Sequence, residues 1–462
     1  MHINKLPQLQ RREFLRRASA LGLAGTAAPF ALNLAALGEA AAQSAGNDYK
    51  ALVCVFLYGG NDYGNTLVPY DSASYNAYAT IRGSIATPRD NLAATALSPR
   101  VALPDGRQMA LAPQLGRLKT LFDAGRLGVQ LNVGTLIQPT TLAQYKAQSV
   151  PLPPKLFSHN DQQSVWQASS PEGAVTGWGG RMGDRFLASN GNTTFTCINA
   201  SGNAVFMAGQ QAVQYQVATN GAVAVNAVTK PLYGSQQCAD ALRSLITAQR
   251  AHWMEQELNR VVSRSISAQT IVASALANLP PLTTVFDPAN NLAQQLQIVA
   301  KLIGSRASLG VKRQVFFVSM GGFDLHDFLP NQHPGLLSTL NDALGAFHDA
   351  TVELGVADAV TTFTASDFGR TLSSNGDGSD HGWGSHHFVM GGAVKGGRFW
   401  GQLPSVSVNG PDDVGQGRLL PTTSVDQLGA TLATWMGVSA ADLPTVLPQI
   451  GNYTVRDVGY FA

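Results

Sequence analysis

Tyr49-Lys50-Ala51-Leu52-Val53-Cys54-Val55-Phe56-Leu57 runs directly into Tyr58-Gly59-Gly60-Asn61-Asp62. The first part is apolar almost without a break, the pattern of a strand covered on both faces in the middle of a parallel sheet. The glycine pair then turns the chain, and the acid that follows lands at the carboxyl end of the strand. Two later segments repeat this design. Gln314 to Met320 reads as a strand and leads through Gly321-Gly322-Phe323 to Asp324 and His326, and Val360 to Thr364 reads as a strand that leads to Ser366-Asp367-Phe368-Gly369-Arg370. Gly128 to Val133 reads as a further strand. Helical patterns over Leu111 to Gly125, Asp161 to Ala168, Leu336 to Leu354 and Val425 to Met436 alternate with these strands. The alternation predicts an α/β protein with three α/β/α layers and a mostly parallel central sheet. Such sheets place their sites at the carboxyl ends of the strands.

Between the early and late α/β segments the pattern changes. Residues 195–235 alternate apolar and small polar groups and read as β-hairpins that cover the active face, and residues 236–308 read as helices. The chain is therefore expected to hold one domain over 43–462, with 195–310 a hairpin and helical insertion or a cap. Only 13% of the residues are charged and the net charge is +2, so nothing points to nucleic acid as a partner. No run after the N-terminus reaches the roughly 18 apolar residues that a membrane span needs. The sequence has neither the glycine fingerprint of a dinucleotide fold nor a haem or iron–sulfur cysteine pattern. Cys197 and Cys238 could pair in an oxidising compartment.

Arg11-Arg12-Glu13-Phe14-Leu15-Arg16 precedes an Ala/Gly/Leu-rich stretch from Ala18 to Leu37 and the small residues Ala40-Ala41-Ala42. Basic, apolar and small-residue regions in that order resemble a twin-arginine export signal. The expectation is that residues 1–42 are removed, that the twin-arginine machinery is a partner, and that the mature protein is periplasmic or secreted.

Chemistry concentrates late in the chain. Six of the nine histidines lie between His326 and His387, and Asp380-His381-Gly382-Trp383-Gly384-Ser385-His386-His387 holds three of them beside a carboxylate. Asp62, Asp324 and Asp367 each follow an apolar strand, so they should meet at one edge of the sheet. Crowded carboxylates repel, a divalent cation relieves that repulsion, and imidazoles complete its coordination. The expected ligands are Asp62, Asp324, His326, Asp367, Asp380, His381, His386 and His387, with zinc the leading metal. Asp62, Asp324 and His326 are expected to share one coordination sphere with either Asp367 or the 380–387 loop.

These motifs resemble a known family. Gly59-Gly60-Asn61-Asp62 with Asn65-Thr66-Leu67-Val68-Pro69-Tyr70, then Ser158-His159, Gly177-Trp178, the Asp324/His326 and Asp367/Arg370 segments, Asp380-His381-Gly382-Trp383 and Gly391-Gly392-Ala393-Val394-Lys395-Gly396-Gly397 look like the bacterial domain-of-unknown-function family DUF1501. The resemblance spans nearly the whole mature chain. It implies an alkaline-phosphatase-like fold, shared with sulfatases, and hydrolysis of a small anionic phosphate or sulfate ester. On that reading Ser158, at the start of a helix, stands where those enzymes carry a nucleophile. Thr66 is the next candidate, a metal-bound water is the third, and Arg370 would clamp a non-bridging oxygen. Two departures count against carrying the activity over. Phe368 follows Asp367 where a metal ligand is common, and Ser158 lacks the Pro and Arg of the sulfatase motif. The competing expectation is a non-catalytic exported protein of the same fold with a structural or ligand-binding role.

Overall fold

A computed structural model describes residues 48–461. The signal-like segment 1–42 lies outside the described residues. The strands are β1 (Lys50–Leu57), β2 (Leu67–Pro69), β3 (Met109–Leu111), β4 (Leu127–Gly134), β5 (Cys197–Asn199) and β6 (Tyr215–Ala218), followed by β7 (Gly221–Ala222), β8 (Arg313–Met320), β9 (Val360–Ser366), β10 (Ser385–Gly391), β11 (Phe399–Trp400) and β12 (Thr423–Ser424). Ten of them form one sheet in the order β11-β4-β10-β9-β1-β8-β5-β6-β7, with β12 also on β4. β1 pairs in parallel with β8 and β9, while β10 runs antiparallel to both β9 and β4.

The expected central strand is central. Along β1 the even side chains Leu52, Cys54 and Phe56 join Trp166, Trp178, Leu428 and Leu432 in one core. The odd ones, Ala51, Val53, Val55 and Leu57, point to the opposite face and are equally buried. There the helices Asn291–Gly304 and Leu329–Glu353 pack on one another. Helices on both faces make the three-layer arrangement and explain why β1 shows no polar alternation.

The helices that matter below are α1 (Tyr63–Thr66), α2 (Ser72–Arg82), α3 (Gly116–Asp123), α4 (His159–Ala168), α5 (Trp178–Asp184), α6 (Gln236–Thr247), α7 (Trp253–Ala277), α8 (Asn291–Gly304), α9 (Leu329–Glu353) and α10 (Val425–Met436). Helix α3 is shorter than the expected span from Leu111, because Met109–Leu111 is spent on pairing with β2. Segment 195–235 holds one hairpin, β6–β7, but β5 instead extends the central sheet beside β8. Cys197 is buried in β5 and Cys238 is exposed on α6, and both are free thiols, so the expected pairing does not form.

Register sets the position of the site. Leu57, the last residue of β1, pairs with Met320 on one side and Ser366 on the other. Three adjacent strands thus stop level with one another, and the loops that leave them share one edge. Gly59 sits at φ +114°, and a Cβ there would lie 2.4 Å from the Asp324 amide nitrogen, so only glycine lets the β1 and β8 loops come this close.

Candidate metal centre

Asp324 is the hub of this edge. Its Oδ1 lies 3.1 Å from His326 Nε2 and 3.2 Å from His381 Nε2, and its Oδ2 lies 3.3 Å from His159 Nε2. His326 Nε2 and His381 Nε2 are 2.9 Å apart. Around a tetrahedral ion with bonds of 2.0–2.1 Å, ligand atoms stand about 3.3 Å from one another. His159, Asp324 and His381 offer ligand atoms that all lie within 4.8 Å of one another.

The far nitrogens decide what the near ones do. His159 Nδ1 is 2.6 Å from Asp367 Oδ2, His326 Nδ1 is 3.1 Å from Asp380 Oδ1, and His381 Nδ1 is 2.7 Å from the Phe157 carbonyl oxygen. Carbonyl and carboxylate oxygens only accept, so each Nδ1 carries a hydrogen, and each ring in its neutral form turns an Nε2 lone pair toward Asp324. Three lone pairs and a carboxylate facing one another repel unless a cation lies between them. His159 Nε2 is moreover a buried nitrogen with no hydrogen-bond partner. An oxygen acceptor on the far nitrogen is the usual setting of a metal-ligating histidine, because it fixes the tautomer and raises basicity. The residues therefore fit a divalent ion.

The hydrogen bond that His159 donates to Asp367 raises the His159 pKa above the ordinary histidine value, against partial burial, so a bound ion would have to displace a proton from this ring. Burial lowers the pKa of His381. Burial pushes the Asp324 carboxyl upward, but the hydrogen bond and charge of Arg370 prevail and hold it below the ordinary value. Arg370 Nη1 lies 2.6 Å from Asp324 Oδ1. Phe368, buried, stacks against the His159 and His381 rings with centroids 4.9 and 4.8 Å away, and so supplies an apolar wall instead of a ligand. The other side is open: the Asp324 side chain is 45% exposed and that of His326 40%.

The fold brings together Asp324, His326 and His381 from the expected set, and it redistributes the rest. Asp367 sits behind His159, held also by the Gly59 N–H and the Gln163 side-chain amide, and Asp380 sits behind His326. Both orient imidazoles. Asp62 does not join the cluster. It is buried and paired with the buried Arg82 of α2 at 2.6 Å, with the Asn65 N–H and Ser379 hydroxyl as further donors. Arg370 then links the two layers through Asp324 and the Ser379 carbonyl.

His386 and His387 are not in the cluster either. They lie in β10, where a bulge falls between Ser385 and His387. His386 Nδ1 accepts from the Asn132 N–H and His387 Nδ1 pairs with the Thr364 hydroxyl, both inside the sheet. Burial pushes their pKa values down to about 4 and about 3.

The expected catalytic side chains are also engaged elsewhere. The Thr66 hydroxyl is buried and donates to the Asp62 carbonyl at 2.7 Å. Arg370 is fully buried with its terminal nitrogens on Asp324, the Gly59 carbonyl and the Ser379 carbonyl, so it cannot clamp a substrate. Ser158 stands at the N-terminus of α4 but makes no capping bond, and instead its hydroxyl donates to Asp161 Oδ2 at 3.0 Å. His159 is the residue that sequence reasoning passed over. Its signal was its place, next to Ser158 in a family motif and at the mouth of a helix.

Fold and site together define a three-layer α/β/α protein with a His/Asp centre at the carboxyl edge of its sheet. Residues 49–445 match the family described as "Protein of unknown function (DUF1501)", and the chain belongs to that family. No match is found among curated proteins. Solved structures similar in fold include Ps i-CgsB in complex with k-i-k-neocarrahexaose, at 10% identity over 87% of this chain and 76% of that one, with a TM-score of 0.36. The lipoteichoic acid synthase LtaP from Listeria monocytogenes is similar at 9% identity over 88% and 76%, TM-score 0.35. The PsFucS1 sulfatase from Pseudoalteromonas sp. is similar at 9% identity over 87% and 70%, TM-score 0.34.

Proposed function

We propose that this chain is an exported, metal-dependent hydrolase of phosphate or sulfate esters, with one divalent ion, zinc by the donor set, held by His159, Asp324, His326 and His381. The observation that carries the reading is the convergence of three Nε2 atoms on one carboxylate, each ring backed by an oxygen acceptor on Nδ1. Nitrogen and oxygen donors at these spacings suit zinc. When bound, such an ion polarises an ester oxygen and lowers the pKa of water.

The chain's own residues do the rest. Asp367, Asp380 and the Phe157 carbonyl hold the rings in place, Arg370 offsets the carboxylate charge, and Phe368 keeps water from one side of His159 and His381. The exposed flank of Asp324 and His326 is where a small anionic ester would arrive. With Thr66 buried and Ser158 turned toward Asp161, water is the nucleophile this arrangement favours. Export by the twin-arginine machinery to the periplasm or beyond rests on residues 1–42.

The same engaged hydroxyls favour a second reading, a metal-bearing protein of this fold that binds without turnover. Zinc content of purified protein, with a screen of phosphate and sulfate esters on wild type and Asp324→Asn, separates the two. Ester hydrolysis that disappears in the variant supports the hydrolase. Bound zinc with no hydrolysis of any ester supports the binding protein, and absence of bound zinc removes both.

A further inference from the structure

A groove of about 570 Å³ opens on the same edge of the sheet as the cluster. That size lies within the roughly 300–1,000 Å³ of small-molecule sites. It forms where β5 and β8 end. Ser201 follows β5, Ser319 lies at the end of β8, Thr219 sits in the β6–β7 turn, Asn291 and Gln295 open α8, and Thr339 faces it from α9. Gly321 also lines it, three residues before Asp324. Three residues of chain span at most about 11 Å, so the wall of the groove is within that reach of the cluster.

The lining mixes polar and apolar side chains and carries no charged residue. Gln295 braces the wall: its Oε1 accepts from the Ser319 N–H at 2.9 Å, and its Nε2 donates to the Ser319 carbonyl at 3.0 Å and to Asn291 Oδ1 at 2.6 Å. With its oxygen accepting from Gln295, exposed Asn291 keeps its amide hydrogens as donors. Thr339 donates to the Gly335 carbonyl and Ser201 to Asn199 Oδ1, which leaves both hydroxyl oxygens as acceptors toward the groove. Leu292, Met320 and Leu336 add an apolar floor. Paired donors and acceptors above a small apolar surface match a ring that carries hydroxyls on its edge and C–H groups on its face. A second phosphate or sulfate would find no cation in this lining.

We propose that this groove holds the uncharged, polyhydroxylated part of the substrate, a carbohydrate, while the ester group on that carbohydrate meets the His/Asp cluster. The proposal rests on the hydrolase reading for its ester, but the groove is tested without it. Residues 200, 201, 219, 291, 292 and 295 all belong to segment 195–310, so the insertion supplies much of the specificity surface.

The test is calorimetric titration of metal-free protein with the neutral disaccharides maltose, cellobiose, lactose and diacetylchitobiose. At least one is expected to bind. Asn291→Leu and Thr339→Phe are each expected to weaken it by about tenfold, the loss of one or two hydrogen bonds. If none of the four binds at millimolar concentration, or if both groove variants bind as wild type does, the proposal is wrong. A wild type that binds a disaccharide but hydrolyses no ester keeps the groove and removes the hydrolase.

Discussion

His159 Nδ1 lies 2.6 Å from Asp367 Oδ2, while the Nε2 of the same ring faces Asp324 Oδ2 at 3.3 Å. One imidazole thus spans the loops after β8 and β9, and it comes from a helix that neither strand precedes. Its tautomer is set by the carboxylate behind it, so Asp367 acts on any bound ion through His159.

Asp367→Asn is therefore expected to weaken zinc binding by roughly 10- to 100-fold, the usual effect of removing the partner behind a ligating histidine. Competition against a chromophoric chelator measures this. Zinc affinity unchanged in Asp367→Asn would show that Asp367 does not set the His159 ligand.

The buried Asp62–Arg82 pair makes a stability prediction. Both side chains are almost fully buried, at 2% and 0% exposure. Arg82→Met leaves a carboxylate without its counter-charge and is expected to cost about 3–5 kcal/mol, as broken buried pairs do. Adding Asp62→Leu should restore much of the loss. Urea midpoints read both effects, and zinc stoichiometry should stay the same in the double variant because neither residue belongs to the centre.

Three buried imidazoles give a pH dependence. Burial lowers His333 and His386 to about 4 and His387 to about 3, below the ordinary histidine value of about 6.5. The folded state keeps them neutral, so the unfolded chain binds more protons once pH drops below about 6.5. Stability is then fully present above that pH and falls as pH descends toward the folded values. Each ring contributes a slope of up to about 1.4 kcal/mol per pH unit. His387→Phe should remove one such slope between pH 6.5 and 5. Denaturant titrations at several pH values check it, and an unchanged slope would mean that His387 does not resist protonation.

The sequence carries the sheet more legibly than the site. Leu52 to Leu57 is apolar because both faces of β1 are covered, and that leaves a mark in the chain itself. Asp324, His326 and His381 are readable as neighbours at one edge because they follow strand ends or sit among glycines. What could not be read depends on distant partners. Asp62 looks like a ligand until α2 swings Arg82 against it. His386 and His387 look like loop ligands because Gly382 and Gly384 precede them, yet β10 begins at Ser385 and draws both rings into the sheet. His159 is a single histidine at a helix start, and only the docking of α4 against the β8 and β9 loops gives it two carboxylates.

Ser158 offers a check on the nucleophile. Its hydroxyl is given to Asp161, two positions along α4 from His159 and hence near the opposite side of that helix. Ser158→Ala is expected to cost about 1 kcal/mol of stability and to leave ester turnover within about threefold of wild type. A loss of turnover beyond about a hundredfold with zinc content intact would assign the attack to Ser158.

The most direct measurement is anomalous scattering at the zinc edge from crystals grown with one equivalent of zinc. A single strong peak is expected about 2.0–2.2 Å from His159 Nε2, His326 Nε2, His381 Nε2 and one Asp324 oxygen. No peak there, or a peak held by Asp62, His386 or His387, would contradict this ligand set.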